Sequence, residues 1–441
     1  MRTAAGLTAP ITVAELELAE PVSVTEPVAR YADDEGCPAP AAAALVLVRV
    51  HGRPMGSVLV ETVDGRVDPQ RCAEQAWASL RPAIVSHLGA DGLPPVPPLA
   101  SADGKPPLCA KRPASAVPIS VVVATRERPR LLAACLDSLA AVDYPEFEVV
   151  VVDNDPVGGE TAQLVHSRAG RGVRYVVESR RGLAAAHNRG LAVAAGSIVA
   201  FTDDDVLVDP GWLWAISKAM GADPATACVT GLIMPAELAT EAQLMLELHG
   251  NFGKGFESRT FNLWAGRPDD PLFPFTVGKL GSGANMAFDK DALGAVGGFD
   301  TAIGAGTVAR GGDDLAALFS ILAAGYTLAY EPAALVWHRH HRDLGSLTKQ
   351  AYGYGVGLGA YLASALTQHP RMIGGALSRL PAGLRYALRS DSPRNQHSAD
   401  VWPQELVRLE RRGMAFGPVA YAVSRWRTRG VPRLQKAKGT C

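Results

Sequence analysis

From Ile119 onward, largely apolar runs recur at intervals too long for hairpins: ISVVVA (119–124), EVVVVD (148–153), VRYVVE (173–178) and SIVAFT (197–202). Runs of this kind need cover on both sides. Between them lie helical patterns, such as Leu132, Cys135, Leu136 and Leu139 behind Pro129. The chain is thereby directed to an α/β fold, a mostly parallel sheet with helices on both faces. Ligands of such sheets gather beyond the carboxyl ends of the strands. That is where the polar residues stand: Thr125 and Arg126 after the first run, Asp153 to Asp155 after the second, and Asp203, Asp204 and Asp205 after the fourth.

Around this core the 441 residues divide by composition. Residues 1–40 hold 7 acidic residues against 2 arginines within their first 35, are rich in Ala and Pro, and predict a flexible acidic lead-in. Residues 41–90 read as a small ββα module, with two strands flanking HGRP and a helix carrying Trp77, Leu80, Ile84 and Leu88 on one face. A Pro-rich linker, 91–117, separates it from the α/β domain, 118–342. A helical basic extension, 343–441, follows; from residue 371 it holds 14 Lys and Arg against 4 Asp and Glu.

Six cysteines form no C-x-x-C pair, which points to a reducing compartment. With no leader-like segment and no apolar run long enough to span a bilayer, a cytoplasmic protein is expected. The Ala, Gly, Arg and Pro content suits a bacterial source.

Three carboxylates at one strand end repel one another by roughly 1 kcal/mol per pair at about 4 Å in water, and by several times that near a protein surface. One could cap the helix near Pro210; three exceed what a cap requires, and a hard cation, Mn²⁺ or Mg²⁺, would offset them. The first strand ends in ATRERP, without the G-x-G-x-x-G of a dinucleotide fold, and GKLGSG (278–283) is not a P-loop. A phosphate would need metal and basic side chains, of which Arg126, Arg180 and Arg181 stand near strand ends.

ISVVVATRERP, VVVDNDP, RRGLAAAHNRG, IVAFTDDDVLVDPGWL, GANMAFDKDALGAVGGFD and GGDDLAALFSILAAGYTLAYEPAALVWH, in this order over roughly residues 117–340, resemble the motifs of inverting family 2 glycosyltransferases with the GT-A fold. The resemblance implies a metal-dependent transfer of a sugar from a nucleoside-diphosphate-sugar to an acceptor hydroxyl, in glycan, cell-envelope or glycosylated-metabolite biosynthesis. It places Thr125, Arg126, Asp153, Arg181, Asp203 and Asp204 on the donor side, with Asp153 accepting from the base and Asp203 facing the ribose. Asp205 in the D-x-D element becomes a metal ligand, completed by His338. In GGDDL, Asp314 is the general base and Asp313 an acceptor-site partner, although the first acid of that pair is more often Glu.

Several readings stay open on residues alone. His338, in WHRHH, either completes the metal site or is a solvated strand end. Asn285 either meets the acceptor or packs among small residues. Asn188 is expected to pin its helix to the aspartate strand, beside His187, which stands where the family commonly has Arg. The loop GAGTVARGG, 304–312, is a mobile lid or a plain connection. The basic C-terminal helices either lie peripherally on the inner face of the cell membrane or pack on the domain; no nucleic-acid module accompanies them. The rival functions are a glycosyltransferase-like scaffold without activity and a sugar-1-phosphate nucleotidyltransferase. The latter would carry glycines after the first strand, which ATRERP lacks.

Overall fold

The computed structural model describes residues 7–19, 22–26, 41–94, 107–112, 115–168, 172–250, 252–388 and 402–429. Its centre is a nine-stranded sheet. Strands β5 (Ile119–Thr125), β6 (Phe147–Asn154), β7 (Val173–Glu178) and β8 (Ile198–Asp203) are parallel, in the order β7-β6-β5-β8. Alternate residues of one strand face opposite layers. Val121 and Val123 pack with Leu132, Leu136 and Leu139 of helix α2 (Pro129–Ala140), while Val122 and Ala124 meet Ala184 and Ala186 of α4 (Leu183–Val193). Beyond β8 the sheet is mixed, because β12 (Met286–Asp289) enters antiparallel between β8 and β10 (Thr226–Pro235). The apolar runs predicted only the parallel half; nothing in a four-residue strand announces its direction.

The chain leaves β5 toward β6 and β7 and returns on the other side with β8, so a switch point lies between β5 and β8. Register fixes the polar groups there. Thr125 stands opposite Asp153, and Ala124 opposite Asp203. Immediately after Asp205, β9 (Val206–Val208) pairs antiparallel with β13 (Thr327–His338), which sets His338 opposite Val206.

The expected flexible lead-in is corrected in part. Ile11–Glu17 is a strand, β1, and Ser23–Thr25 a second, β2; with β3 (Ala43–Val50) and β4 (Arg53–Glu61) they form a sheet in the order β2-β1-β3-β4. The acidic residues concealed the alternation of ITVAELE. Ala14 and Leu16 pack with Val46 and Val48 under helix α1 (Pro69–Ala90), while Ile11 and Val13 face Leu207, Leu232 and Trp337 of the large domain. Glu15 shares the buried Arg49 guanidinium with Asp209. The four-stranded sheet is therefore a layer between α1 and the large domain. Residues 1–6, 20–21, 27–40 and most of the linker, 95–106 with 113–114, lie outside the described residues.

Among the described residues after β13 lie the helices α9 (Leu344–Gln368), α10 (Ile373–Leu388) and α11 (Gln404–Arg427). The Gly-rich run of α9 packs on α11. A Cβ on Gly359 would lie 2.3 Å from the Met414 carbonyl, and one on Gly417 would lie 2.6 Å from the Ala360 nitrogen, so the two backbones touch only because side chains are absent. Among the described residues no helix is long and apolar enough to cross a membrane.

Candidate active site

Strand ends and one helix start build the site. Thr125, last in β5, donates its hydroxyl to Asp204 Oδ2 at 2.7 Å, and Arg128 spans Asp204 Oδ1 at 3.1 Å and Asp205 Oδ2 at 3.2 Å. Asp204 thus points into the protein, 5% exposed, rather than along the open edge. Burial, then the neighbouring Asp205, pushes its carboxyl up to about 7. Arg128 went unread in the sequence; its signal was a place in ATRERP three residues beyond the strand.

Asp203, Asp205 and His338 bring one ligand atom each within 4.8 Å of the others. The strand pairing of β9 with β13 is the cause, and the Arg339 amide donates to the Asp205 carbonyl at 3.0 Å to hold the corner. His338 Nε2 lies 3.4 Å from Asp205 Oδ1 with the side chain 14% exposed, so the solvated reading of His338 is set aside. Burial and then Asp205 raise Asp203 to about 6. Burial also works against ionisation of Asp205, yet His338 and Arg128 outweigh it and bring the carboxyl down to about 2. Asp205 Oδ1 and His338 Nδ1 are buried without hydrogen-bond partners. Two carboxylates, an imidazole and unmet polar atoms fit a divalent cation.

Asp153 ends β6 with one oxygen accepting from the Tyr175 hydroxyl at 2.7 Å and the other, Oδ1, buried and unpartnered. Burial raises its pKa. Arg126 meets Asp155 at 3.2 Å and remains partly exposed; Arg181 is exposed beside Gly306. Asn154 was also missed. Its amide donates to the Glu178 and Arg180 carbonyls and its oxygen accepts from the Gly182 amide, which shapes the turn carrying Arg180 and Arg181.

The acidic pair opens α8 (Asp313–Ala323) behind Gly312, whose φ of 87° suits glycine. Its two members diverge. Asp314 accepts from the Gly283 amide at 2.9 Å and is partly accessible; burial, then Asp313, raises it to about 6, and Asp203 is near enough to add to the rise. Asp313 is 3% exposed and directs Oδ2 toward His187 Nδ1 at 3.4 Å, under Gly304. An acceptor-facing Asp313 is therefore corrected: a carboxylate one methylene shorter than Glu stays among the helices with His187.

Asn285 is also corrected as an acceptor contact. At 1% exposure it accepts from Trp212 Nε1 at 2.9 Å and donates to the Leu232 and Ala334 carbonyls, which leaves it a packing role. Asn188 pins its helix to Phe299 through a reciprocal pair of hydrogen bonds, not to β8. The loop 304–312 meets its neighbours through Leu183 N on the Ala305 carbonyl and through Gly312 beside Gly357.

Residues 120–292 match the family model described as "Glycosyl transferase family 2". A pre-mycofactocin glycosyltransferase of Mycobacterium tuberculosis is 29% identical over 252 residues, 57% of this chain and 48% of that protein. A glucosyl-dolichyl phosphate glucuronosyltransferase of Haloferax volcanii is 25% identical over 193 residues, 42% of this chain and 57% of that one. The chain thus spans about half the length of these relatives. Among solved structures, mannosyltransferase PcManGT from Pyrobaculum calidifontis, in complex with GDP-Man and Mn²⁺, aligns at TM-score 0.44 and 21% identity over 73% of this chain and 90% of its own.

Proposed function

We propose that this chain, whose residues 120–292 match the family model of glycosyltransferase family 2, is a GT-A type enzyme that moves a sugar from a nucleoside-diphosphate donor to an acceptor hydroxyl with inversion. The observation that carries this reading is the edge where Asp203, Asp205 and His338 converge while Asp314, partly exposed, lies within electrostatic reach of Asp203.

In this reading Asp153 Oδ1 receives a donor N–H of the base, and Arg126 and Arg181 attend the phosphates. Asp203, expected from the sequence to face the ribose, would here join Asp205 and His338 in holding a divalent cation, Mn²⁺ or Mg²⁺, which when bound supplies positive charge against the leaving diphosphate. Arg128 fixes Asp205 from the other side. Asp314 takes the proton of the acceptor hydroxyl as its oxygen attacks the anomeric carbon opposite the leaving group, and a single base suffices because no covalent intermediate forms. His187 and Asp313 brace the start of α8, so that Asp314 keeps its bond to Gly283.

The relatives are named for pre-mycofactocin and for a glucosyl-dolichyl phosphate, and this divergence limits the reading to donor chemistry. Calorimetric titration with UDP-, GDP- and dTDP-sugars, in Mn²⁺ or in EDTA, tests it. One donor should bind only with metal and fail with Asp205→Ala; folded protein that binds none of them in Mn²⁺ would sink the reading.

Peripheral membrane contact belongs to the same proposal. On α11, Phe416, Val419, Val423 and Trp426 are 36–65% exposed and recur at helical spacing, near Arg412, Arg425 and Arg427. Sedimentation with anionic phospholipid vesicles should carry the chain down and Trp426→Asp should weaken it; a chain left in the supernatant at low salt would end this part.

A further inference from the structure

Apart from the sheet-edge site, three segments around the N-terminal layer bring four metal-ligating side chains together. His51 comes from the tight turn between β3 and β4, His87 from the last turn of α1, Asp91 from the cap of that helix, and Cys109 from a 3₁₀ turn at Leu108–Ala110 in the Pro-rich linker. One ligand atom of each lies within 4.8 Å of all the others. The His51, His87 and Asp91 side chains are 6, 10 and 4% exposed.

The spacing is that of a coordination shell. His51 Nδ1 is 3.2 Å and His87 Nε2 is 3.4 Å from the same oxygen, Asp91 Oδ2, and Cys109 Sγ is 3.7 Å from His51 Nδ1. Tetrahedral zinc, with bonds of about 2.0 Å to nitrogen or oxygen and about 2.3 Å to sulfur, sets N/O donors about 3.3 Å apart and an S/N pair about 3.5 Å apart.

Hydrogen bonding accounts for the approach of His51 to Asp91 and Cys109, and does not account for His87. His87 Nε2 is buried and has no hydrogen-bond partner. Two imidazole nitrogens converge on one carboxylate oxygen, while the other oxygen, Asp91 Oδ1, accepts from the Cys109 amide at 2.9 Å. That last bond orients the carboxylate as an outer partner orients a metal ligand.

We propose that His51, His87, Asp91 and Cys109 bind a structural zinc ion that fastens the linker to the N-terminal layer. A thiolate, two imidazoles and one carboxylate are borderline-soft donors that favour zinc over magnesium, calcium or manganese. Four protein ligands close the shell and leave no position for substrate. Zinc takes the place of the Cys109 thiol proton, which passes to solvent. The linker enters β5 ten residues after Cys109, so the ion would fix where the large domain's chain begins.

The test uses the full chain, purified without chelator from zinc-supplemented culture, with zinc measured by plasma mass spectrometry. Stoichiometric zinc is expected in the wild type and in Asp205→Ala, and near-complete loss in Cys109→Ala and His87→Ala. Because those variants can misfold, the metal-stripped wild type is also titrated with Co²⁺ in excess Mg²⁺. A near-ultraviolet thiolate-to-cobalt band with intense tetrahedral visible bands is expected, along with a fall in Tm on chelation. Folded wild type that carries no zinc and gives no thiolate band with Co²⁺ overturns the proposal, as does Cys109→Ala that keeps its zinc.

Discussion

At the edge of the large sheet Asp205 Oδ1 and His338 Nδ1 are buried with no hydrogen-bond partner, whereas at the seam between the N-terminal sheet and the large domain Glu15 and Asp209 both close on the Arg49 guanidinium. Both regions gather acids, yet one sets each of them against a cation and the other leaves its balance open. An open balance costs stability, because a buried polar group without a partner forfeits about 1–3 kcal/mol. The fold tolerates it where strand ends meet solvent and a ligand can enter. In the N-terminal layer, which lies between α1 and the large domain, the open group among the described residues is His87 Nε2, and it points into the four-residue cluster.

The contrast can be broken most sharply at Asp314. Replacement by Asn removes the base and keeps the size, so kcat should fall about 10²- to 10⁴-fold while calorimetric donor affinity stays unchanged. Near-normal turnover would show that the open edge needs no carboxylate there. At Asp205, Ala should weaken metal-dependent donor binding by more than about tenfold, beyond the lower bound seen for groups that merely orient a ligand, and leave zinc content intact. In the closed region Arg49→Ala should do the opposite. Stripping the buried cation from two partly buried acids should cost about 3 kcal/mol in denaturant unfolding, with kcat of the surviving folded enzyme little altered.

A pH profile sharpens the same distinction. Burial holds the Asp314 pKa up at about 6, and a base works only when ionised, so kcat should drop as pH falls through 6 and level off above it. A profile flat down to pH 5 would count against this assignment. The smallest effect belongs to Asn285→Ala, which leaves the Trp212 N–H and two carbonyls unpaired: a loss of about 1–3 kcal/mol of stability with the acceptor KM unmoved.

How far the sequence could be read depended on distance along the chain. Asp153 and Asp203 follow apolar strands directly, and parallel register then forces Thr125, Asp153 and Asp203 onto one edge. The strand β1 was hidden because Glu15 and Glu17 look like solvated charge until Arg49 is seen against Glu15. Asp313 and Asp314 are adjacent in sequence, yet a helix start sends neighbours in different directions, one to His187 and the other to Gly283.

The sequence by itself determined the α/β alternation, the strand-end carboxylates and the acids at the start of α8, since periodicity states which face of an element is buried. Tertiary structure alone decided what covers that face. It put His338 beside Asp205 through the pairing of β9 with β13, buried Asn285 against Trp212, and gathered His51, His87, Asp91 and Cys109 from a turn, a helix end and a linker. Such meetings depend on long-range packing, and no local pattern of side chains records which distant segment will arrive.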